Sequence, residues 1–462
     1  MEKLLVPGLL DSENETLNGL LAQIKRHRHR NQVRSSYYDA KHIIDHVGGV
    51  IPPEYRNLAF TLGWASKGVD GLGRRLAINE FVWPDGDLDD LGMRELDDSN
   101  LLMSELAQAR TDALIHGTSF LTATRGREGE PAALVHATDA LHSTGDLNPR
   151  TRRLRSFVSV HRWERELPTA FELYLPGLII SAVKSGRTWD ISRSFHKFGV
   201  PVEMLTYRPR VSRRRGRSRI TSPLMSYQDA AARALLRMEA HMDIYAIPQM
   251  IFLGAGESIF TNPDGTPKTN MEIMMGRILG IPDDEDPAAA NPRAEAKQFS
   301  AQSPQPHLEQ LNALAKLSAR ECDLPDSDFA MTDFANPTSE GSYTASRENL
   351  IAEAEGAQDD WNLPTRRTVA RALAIQNNLD GVPAEFGSIA PDWRSPIYLS
   401  RSQQADAGLK TLQADPSLAG TRVGYKLLGL SPLDIEMVEA DKARGLGESV
   451  LQMIASDRGD GN

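Results

Sequence analysis

Residues 222–248 read SPLMSYQDAAARALLRMEAHMDIYAIP, and the fold is decided by how this stretch is read. Ser222 and Pro223 make an N-cap and a first helical residue, since the N–H that proline lacks has no partner there and its φ is already helical. Ala231, Leu235, Met238, Met242 and Tyr245 recur at intervals of 4, 3, 4 and 3 residues, a narrow seam suited to packing against neighbouring helices, and Pro248 ends the run. A shorter helix follows from near Pro306, with Leu308, Leu311 and Ala315 on one face. Between them, 247–305 is poorly periodic. It carries the turn Asn262-Pro263-Asp264-Gly265 and the acidic run Asp283-Asp284-Glu285-Asp286 between two prolines, and reads as a projecting, loop-rich module.

Upstream, Leu4 to Arg34 reads as a helix with Leu17, Leu20, Leu21 and Ile24 on its apolar face and the basic run Lys25 to Arg30 as a solvated end. Asp98 or Ser99 caps a second helix, whose Leu102, Leu106, Ala109 and Ala113 share a face and which Gly117 stops. From Ser119 to Tyr207 the pattern shortens to apolar β-rich runs: Phe120–Thr122, Ala133–His136, Phe157–Val160, Phe171–Tyr174, Leu178–Ile180 and Val202–Leu205. Turn signals at Gly145–Pro149, Leu175–Gly177 and Lys184–Gly186 separate them, and a mostly antiparallel β-region is expected.

Downstream, Glu321 to Ser346 contains no lysine or arginine but holds Asp323, Asp326, Asp328, Asp333 and Glu340. Asn336-Pro337-Thr338-Ser339 starts a long helix, with Leu350, Ala354, Ala357 and Trp361 on one face until Pro364 interrupts it. Two or three further helices follow from Pro391, and the tail from Ser456 is expected to be disordered. The chain is thus α+β, with more residues, 462, than one ordinary core holds.

Composition narrows the function. Apolar residues at 40% and charged residues at 25% fit an ordered protein. No stretch approaches the roughly 20 apolar residues of a bilayer crossing, and the N-terminus lacks a secretory pattern, so the expected site of synthesis and residence is the cytoplasm. Cys322 is the only cysteine, which excludes an internal disulfide and a thiolate zinc site. With 52 basic and 62 acidic residues the net charge is −10, unlike a protein that grips nucleic acid over its whole surface, though DNA remains possible as a passing partner.

Catalytic motifs are absent. There is no Gly-Lys pair and hence no phosphate cradle, and no HExxH, Gly-x-Ser-x-Gly or Cys-x-x-Cys. Ser181 and Lys184 share an apolar strand without companion motifs. Asp85-Gly86-Asp87-Leu88-Asp89 begins like a calcium loop, but Asp90 stands where glycine is required and Leu96 where a glutamate is. The eleven histidines show no ligand spacing, and no metal or cofactor is expected. The chemical oddity is Arg208, Arg210, Arg213, Arg214, Arg215, Arg217 and Arg219, whose mutual repulsion calls for an anion nearby. DNA phosphates, an acidic neighbouring subunit and a merely solvated loop all fit it.

Several segments, in order, resemble the portal proteins of long-tailed phages, particularly those of actinobacterial phages. They are Tyr37-Tyr38-Asp39-Ala40-Lys41-His42; Trp64, Val69-Asp70 and Arg74-Arg75-Leu76; Asp112 to Phe120; Gly216 to Ile220; Gln228-Asp229-Ala230; Tyr245 to Gln249; and Asn336 to Ser339. Ala40 stands where the family more often has glycine, and Ala231-Ala232 where a polar residue is common. The resemblance implies a non-enzymatic subunit of a twelve-fold virion ring around a DNA channel. Its regions would be a wing (1–221), a stem helix (222–245), a clip (246–305), a second stem helix (306–322), a tunnel loop (323–337), a long channel helix returning to the wing (338–390) and a crown (391–462). It further implies that Asp326, Asp328, Asp333 and Asn336 lie close to DNA and that Asp283 to Asp286 form a docking surface. The implied partners are other copies, double-stranded DNA, the terminase motor, a head completion protein, and the major capsid and scaffolding proteins. A metal-dependent nuclease and a channel-less virion adaptor are the rival readings.

Overall fold

The computed structural model describes residues 3–44, 60–246, 250–253, 261–262, 264–267, 295–298, 303–329, 347–398 and 400–459. In chain order the helices are α1 Asp11–Tyr38, α2 Trp64–Gly73, α3 Met93–Asn100, α4 Leu102–His116, α5 Ser222–Ala246, α6 Gln305–Glu321, α7 Glu348–Gln376, α8 Arg401–Ala414, α9 Arg422–Leu427 and α10 Pro432–Gly459. The strands are β1 Ile78–Val82, β2 Thr118–Arg125, β3 Ala133–Thr138, β4 Ser143–Leu147, β5 Leu154–Glu164, β6 Leu167–Leu175, β7 Leu178–Ser185, β8 Thr188–Phe195, β9 Val202–Thr206, β10 Met250–Leu253, β11 Glu295–Gln298 and β12 Ala390–Trp393. Two compact units result: residues 1–35, 67–220 and 337–462 form the first, and 36–66 with 221–336 the second.

The first unit is built on an antiparallel meander, β4-β5-β6-β7-β8. Alternation along its strands buries both faces. Val158, Val160, Phe171, Leu173, Ile180 and Ala182 point to one side and meet Leu17, Leu20, Leu21 and Ile24 of α1. Phe157 and Tyr174, one position out of step, pack with Phe120 and Val202 of the three-stranded sheet β3-β2-β9. Each fully buried leucine or isoleucine of α1 contributes roughly 1.5–3 kcal/mol. Helix α7 packs on β2 and β9, where the indole N–H of the buried Trp361 donates to Thr206 O at 2.8 Å. Strand β1 pairs with β12, which ties the C-terminal part of the chain back to residues 78–82.

Several expectations need correction. Helix α1 starts at Asp11 rather than near Leu4, because Pro7 and Gly8 (φ 93°) turn the chain and Asn14 and Glu13 accept the amides of Val6 and Leu10. Neither Asp98 nor Ser99 caps α4. Both lie inside α3, Leu101 in left-handed conformation (φ 50°) separates the two helices, and Asp97 accepts the Met103 amide. Gly117 does stop α4: at φ 93° its amide bonds Ala113 O at 2.8 Å. Gly145–Leu147 is strand β4, and the turn comes at 148–153. Pro364 does not end α7, which runs on to Gln376; burial of Val369, Ala372, Leu373 and Ile375 outweighs the roughly 3 kcal/mol that an internal proline costs. The helix α10 extends through Gly459 into the tail expected to be disordered.

The second unit is organised by α5 and α6, which lie antiparallel. Thr221, just before α5, donates to Glu321 at the end of α6 at 2.6 Å, and His241, late in α5, meets His307, early in α6, with ring centroids 5.2 Å apart. Ala231, Leu311 and Ala315 form its core with Trp64, joined by Leu62, Leu235, Leu314 and Phe329. The chain leaves α5 and re-enters α6 through the paired strands β10 and β11. Beyond β10, Asn262 and Thr266 close a tight turn through Gly265 (φ 83°), as the sequence indicated. Of the seam on α5, Ala231 is buried but Met242 is half exposed. Pro248 lies outside the described residues, two positions beyond the helix end.

Candidate functional site

The arginine segment does not act as one cluster. Arg219, almost fully buried, donates to Gly68 O at 2.6 Å, to the Tyr207 hydroxyl at 2.9 Å and to Glu353 of α7. Arg208 reaches the same carboxylate at 3.2 Å, and the Tyr207 hydroxyl donates to it. Burial, with the Glu353 charge beside it, raises the Tyr207 phenol above its ordinary range. Arg215 links α1 to β4, donating to Gln23 Oε1 and Gly145 O at 2.6 Å and to Thr144 Oγ1 at 2.7 Å. These three arginines hold the fold. Arg210 and Arg213 close a tight turn through reciprocal backbone bonds of 3.1 and 2.9 Å, and with Arg217 they are exposed; Arg214 is half-buried.

The loop's outer cations join the basic run of α1. Arg26, Arg30 and Arg34 are spaced by four and so share one stripe of that helix. Burial lowers Arg34 to about 10, and the fields of Arg30, Arg213 and Arg217 add to it. His27 is lowered first by burial and then by Arg30, Arg215, Arg26 and Arg34. Arg34 donates to His116 O at 3.1 Å, so the stripe runs up to the C-terminal, negative end of α4. The i, i+4, i+8 spacing was the signal available in the sequence.

Beside it lies a polar group, buried at His116, half-buried at Asp112 and Asp139 and exposed at His142. Asp139 and His142 pair at 3.0 Å, which holds the histidine above its usual value. Asp112 is pushed up to about 7, first by burial and then by Asp139, and burial lowers His116 to about 4. Among the described residues no group of three or more His, Cys, Asp or Glu side chains is arranged to hold a metal ion. Asp85, Asp87 and Asp89 form an acidic turn in which Asp87 caps the Asp89 amide and Asp85 accepts from Ser388.

Of the residues expected near DNA, Asp326 and Asp328 sit on one 3-10 turn after α6, both half-buried, beyond Cys322, which is buried, and Asp323 (φ 50°). Asp333 and Asn336, and the run Asp283, Asp284, Glu285 and Asp286, lie outside the described residues.

Of the segments shared with portal proteins, those around Tyr37–His42, Trp64, His116–Gly117, Ser218–Arg219 and Gln228–Asp229 are joints of the fold, while 247–249 and Asn336 to Ser339 lie outside the described residues. In the second unit Tyr37 OH donates to Asp229 at 2.8 Å, His42 stacks on Tyr37 at 4.1 Å, and Gln228 accepts the Ala65 amide at 2.9 Å. In the first, Ser218 donates to Ile115 O at 2.5 Å and the Arg219 amide to Leu114 O at 2.8 Å. A Cβ on Gly117 would meet the backbone of Arg217 and Ser218 at 3.0 Å.

The family model described as phage portal protein, SPP1 Gp6-like, matches residues 18–416. The chain belongs to this family. The portal protein of Mycobacterium phage L5 is 27% identical over 387 residues, covering 81% of this chain and 77% of that protein. That of Mycobacterium phage D29 is 26% identical over 427 residues, covering 89% and 86%. Among solved structures, a chain in the neck of an empty gene transfer agent particle computed with C6 symmetry aligns with TM-score 0.43 and 15% identity, over 80% of this chain and 91% of that one. A chain in the neck of the native particle computed with C12 symmetry aligns with TM-score 0.39 and 16% identity, over 80% and 90%. As a portal protein the chain is a structural component of the virion at the head–tail connection and not an enzyme, which removes the nuclease reading. No helix among the described residues is long and apolar enough to cross a membrane. The observed architecture is mixed α and β.

Proposed function

We propose that copies of this portal protein close into a ring, of about twelve subunits as in the resemblance above, and that double-stranded DNA passes through its axial hole during packaging and ejection. The observation that carries the reading is the antiparallel pair α5–α6, interrupted at one end by the β10–β11 ribbon, within a chain whose residues 18–416 match the family. A stem of two helices (222–245 and 306–322) leading to a clip (246–305) has this connectivity. Residues 1–221 then serve as wing, 323–337 as tunnel loop, 338–390 as channel helix with its return to the wing, and 391–462 as crown. Asp326, Asp328, Asp333 and Asn336 would face the DNA, where a wall of acids without a lysine or arginine from Glu321 to Ser346 lets the phosphates slide. The clip, with Asp283 to Asp286, docks the terminase motor and afterwards a head completion protein, while scaffolding and major capsid proteins meet the ring during assembly. The exposed arginines at 210, 213 and 217 are contacts to an anionic partner, DNA or a neighbouring subunit.

Electron microscopy of the purified protein over a range of salt and protein concentration tests this. Rings with an axial hole are expected, and their symmetry counts the subunits. A compact dimer at every condition would overturn the reading.

A further inference from the structure

The first unit carries two charged faces of opposite sign at opposite ends of α4, exposed except at the half-buried Arg34. At its C-terminal end stand Arg26, Arg30 and Arg34 of α1 with Arg213 and Arg217, drawn together by the Arg34–His116 bond and by the packing of Gly117 on Arg217. Among the described residues no carboxylate pairs with Arg26, Arg30, Arg34 or Arg213. Before its N-terminal end, on α3 and the turn leading into it, Asp85, Asp87, Asp89, Asp90, Glu95 and Asp98 are exposed, and Arg94 is the one cation among them. Helix α4 has 15 residues, which at 1.5 Å each separates the two faces by roughly 22 Å.

We propose that these faces are the two halves of one joint: the arginines of one subunit receive the 85–98 acids of the next. The proposal rests on the ring reading above. A ring of identical chains repeats a heterologous contact, so each copy must carry both complementary halves, displaced from one another across the subunit. A basic face on a chain of net charge −10 is therefore matched within the chain itself. Guanidinium groups favour carboxylates in paired geometry, and all five cations are arginine. DNA fits less well. Five cations per subunit, multiplied round a ring, would neutralise tens of phosphates and hold the duplex fast, because affinity rises steeply with each phosphate contacted.

The test uses the full chain in two charge-reversed forms, R26E/R30E/R213E and D90K/E95K/D98K, none of whose acidic positions makes a bond that the fold uses. Assembly is followed by analytical ultracentrifugation and microscopy at about 50 and 500 mM salt, with circular dichroism as a folding control. Wild type should need a higher concentration to close at high salt. Each variant alone should need at least about tenfold more protein than wild type to close, and an equimolar mixture should recover rings, because reversed halves match when the two alternate. Rings from either variant at wild-type concentrations, or folded variants that stay apart when mixed, would overturn the joint while leaving the ring intact. Salt-independent closure of wild type does the same and needs no variant to fold. If R26E/R30E/R213E closes normally but loses binding to a short DNA duplex in a filter assay, the face belongs to DNA instead. Absence of rings from wild type at any condition removes the ring reading itself, and the joint with it.

Discussion

Glu353→Ala should be among the most damaging single changes in the first unit. The carboxylate is 3% exposed and receives Arg219, itself 4% exposed, together with Arg208 and the Tyr207 hydroxyl. Removing it leaves a guanidinium buried without a counter-charge, and breaking such a pair costs about 3–5 kcal/mol. Arg208→Ala should cost under about 1 kcal/mol by comparison, since that side chain is 53% exposed and its ion pair is screened by water. The double replacement Arg219→Met with Glu353→Leu removes both charges and should recover most of the loss, because an apolar pair of similar volume carries no desolvation cost. Urea unfolding followed by circular dichroism gives all three losses relative to wild type. A loss below about 1 kcal/mol for Glu353→Ala, or a double variant no better than the single, would refute the view that this carboxylate neutralises the inner arginines.

Ala40, at φ 53°, occupies a left-handed position that glycine adopts without strain, so Ala40→Gly should stabilise by about 0.5–1 kcal/mol in the same unfolding measurement. Gly117→Ala should destabilise by more than about 1 kcal/mol, since the methyl meets the Arg217–Ser218 backbone at 3.0 Å and φ is 93°. Asp112 has its pKa raised to about 7 from 3.8, so its contribution is fully present below about pH 4 and is lost as pH rises toward 7. Asp112→Asn should therefore gain on wild type across that window, by at most about 1.4 kcal/mol per pH unit, and a difference that shrinks from pH 4 to 7 in unfolding titrations would contradict the buried carboxyl. Asp326→Lys, Asp328→Lys and Asp333→Lys together should impair DNA packaging more than ring assembly, and normal packaging by such rings would defeat the tunnel-loop assignment.

What could be read from the sequence follows from range of interaction. Strands β2, β3, β5, β6, β7 and β9 show in local apolar runs, and the turns at Gly177 and Gly186 show in their glycines. The hairpin between β5 and β6 does not, because Arg165 and Glu166 take positive φ with no residue that advertises it. Strands β1 and β12 pair across three hundred residues and have no local signature. The same holds for the candidate site. Seven arginines announce a need for anions, but the Glu353 that meets part of it comes 134 residues after Arg219, and helical spacing alone hints that Arg26, Arg30 and Arg34 belong with the rest.

The division of the first unit among three separated chain segments bears on the order of events at the ribosome. Glu353 and Trp361 are translated only after the whole of residues 221–336, so for roughly 7–27 seconds at 5–20 residues per second the nascent chain holds Arg219 without its counter-ion and β9 without its covering helix. A chain in that state has an incomplete core on the very unit that bears both charged faces. The charged faces are therefore synthesised well before the core that holds them in place, and the unit is complete only once Glu353 and Trp361 have been added.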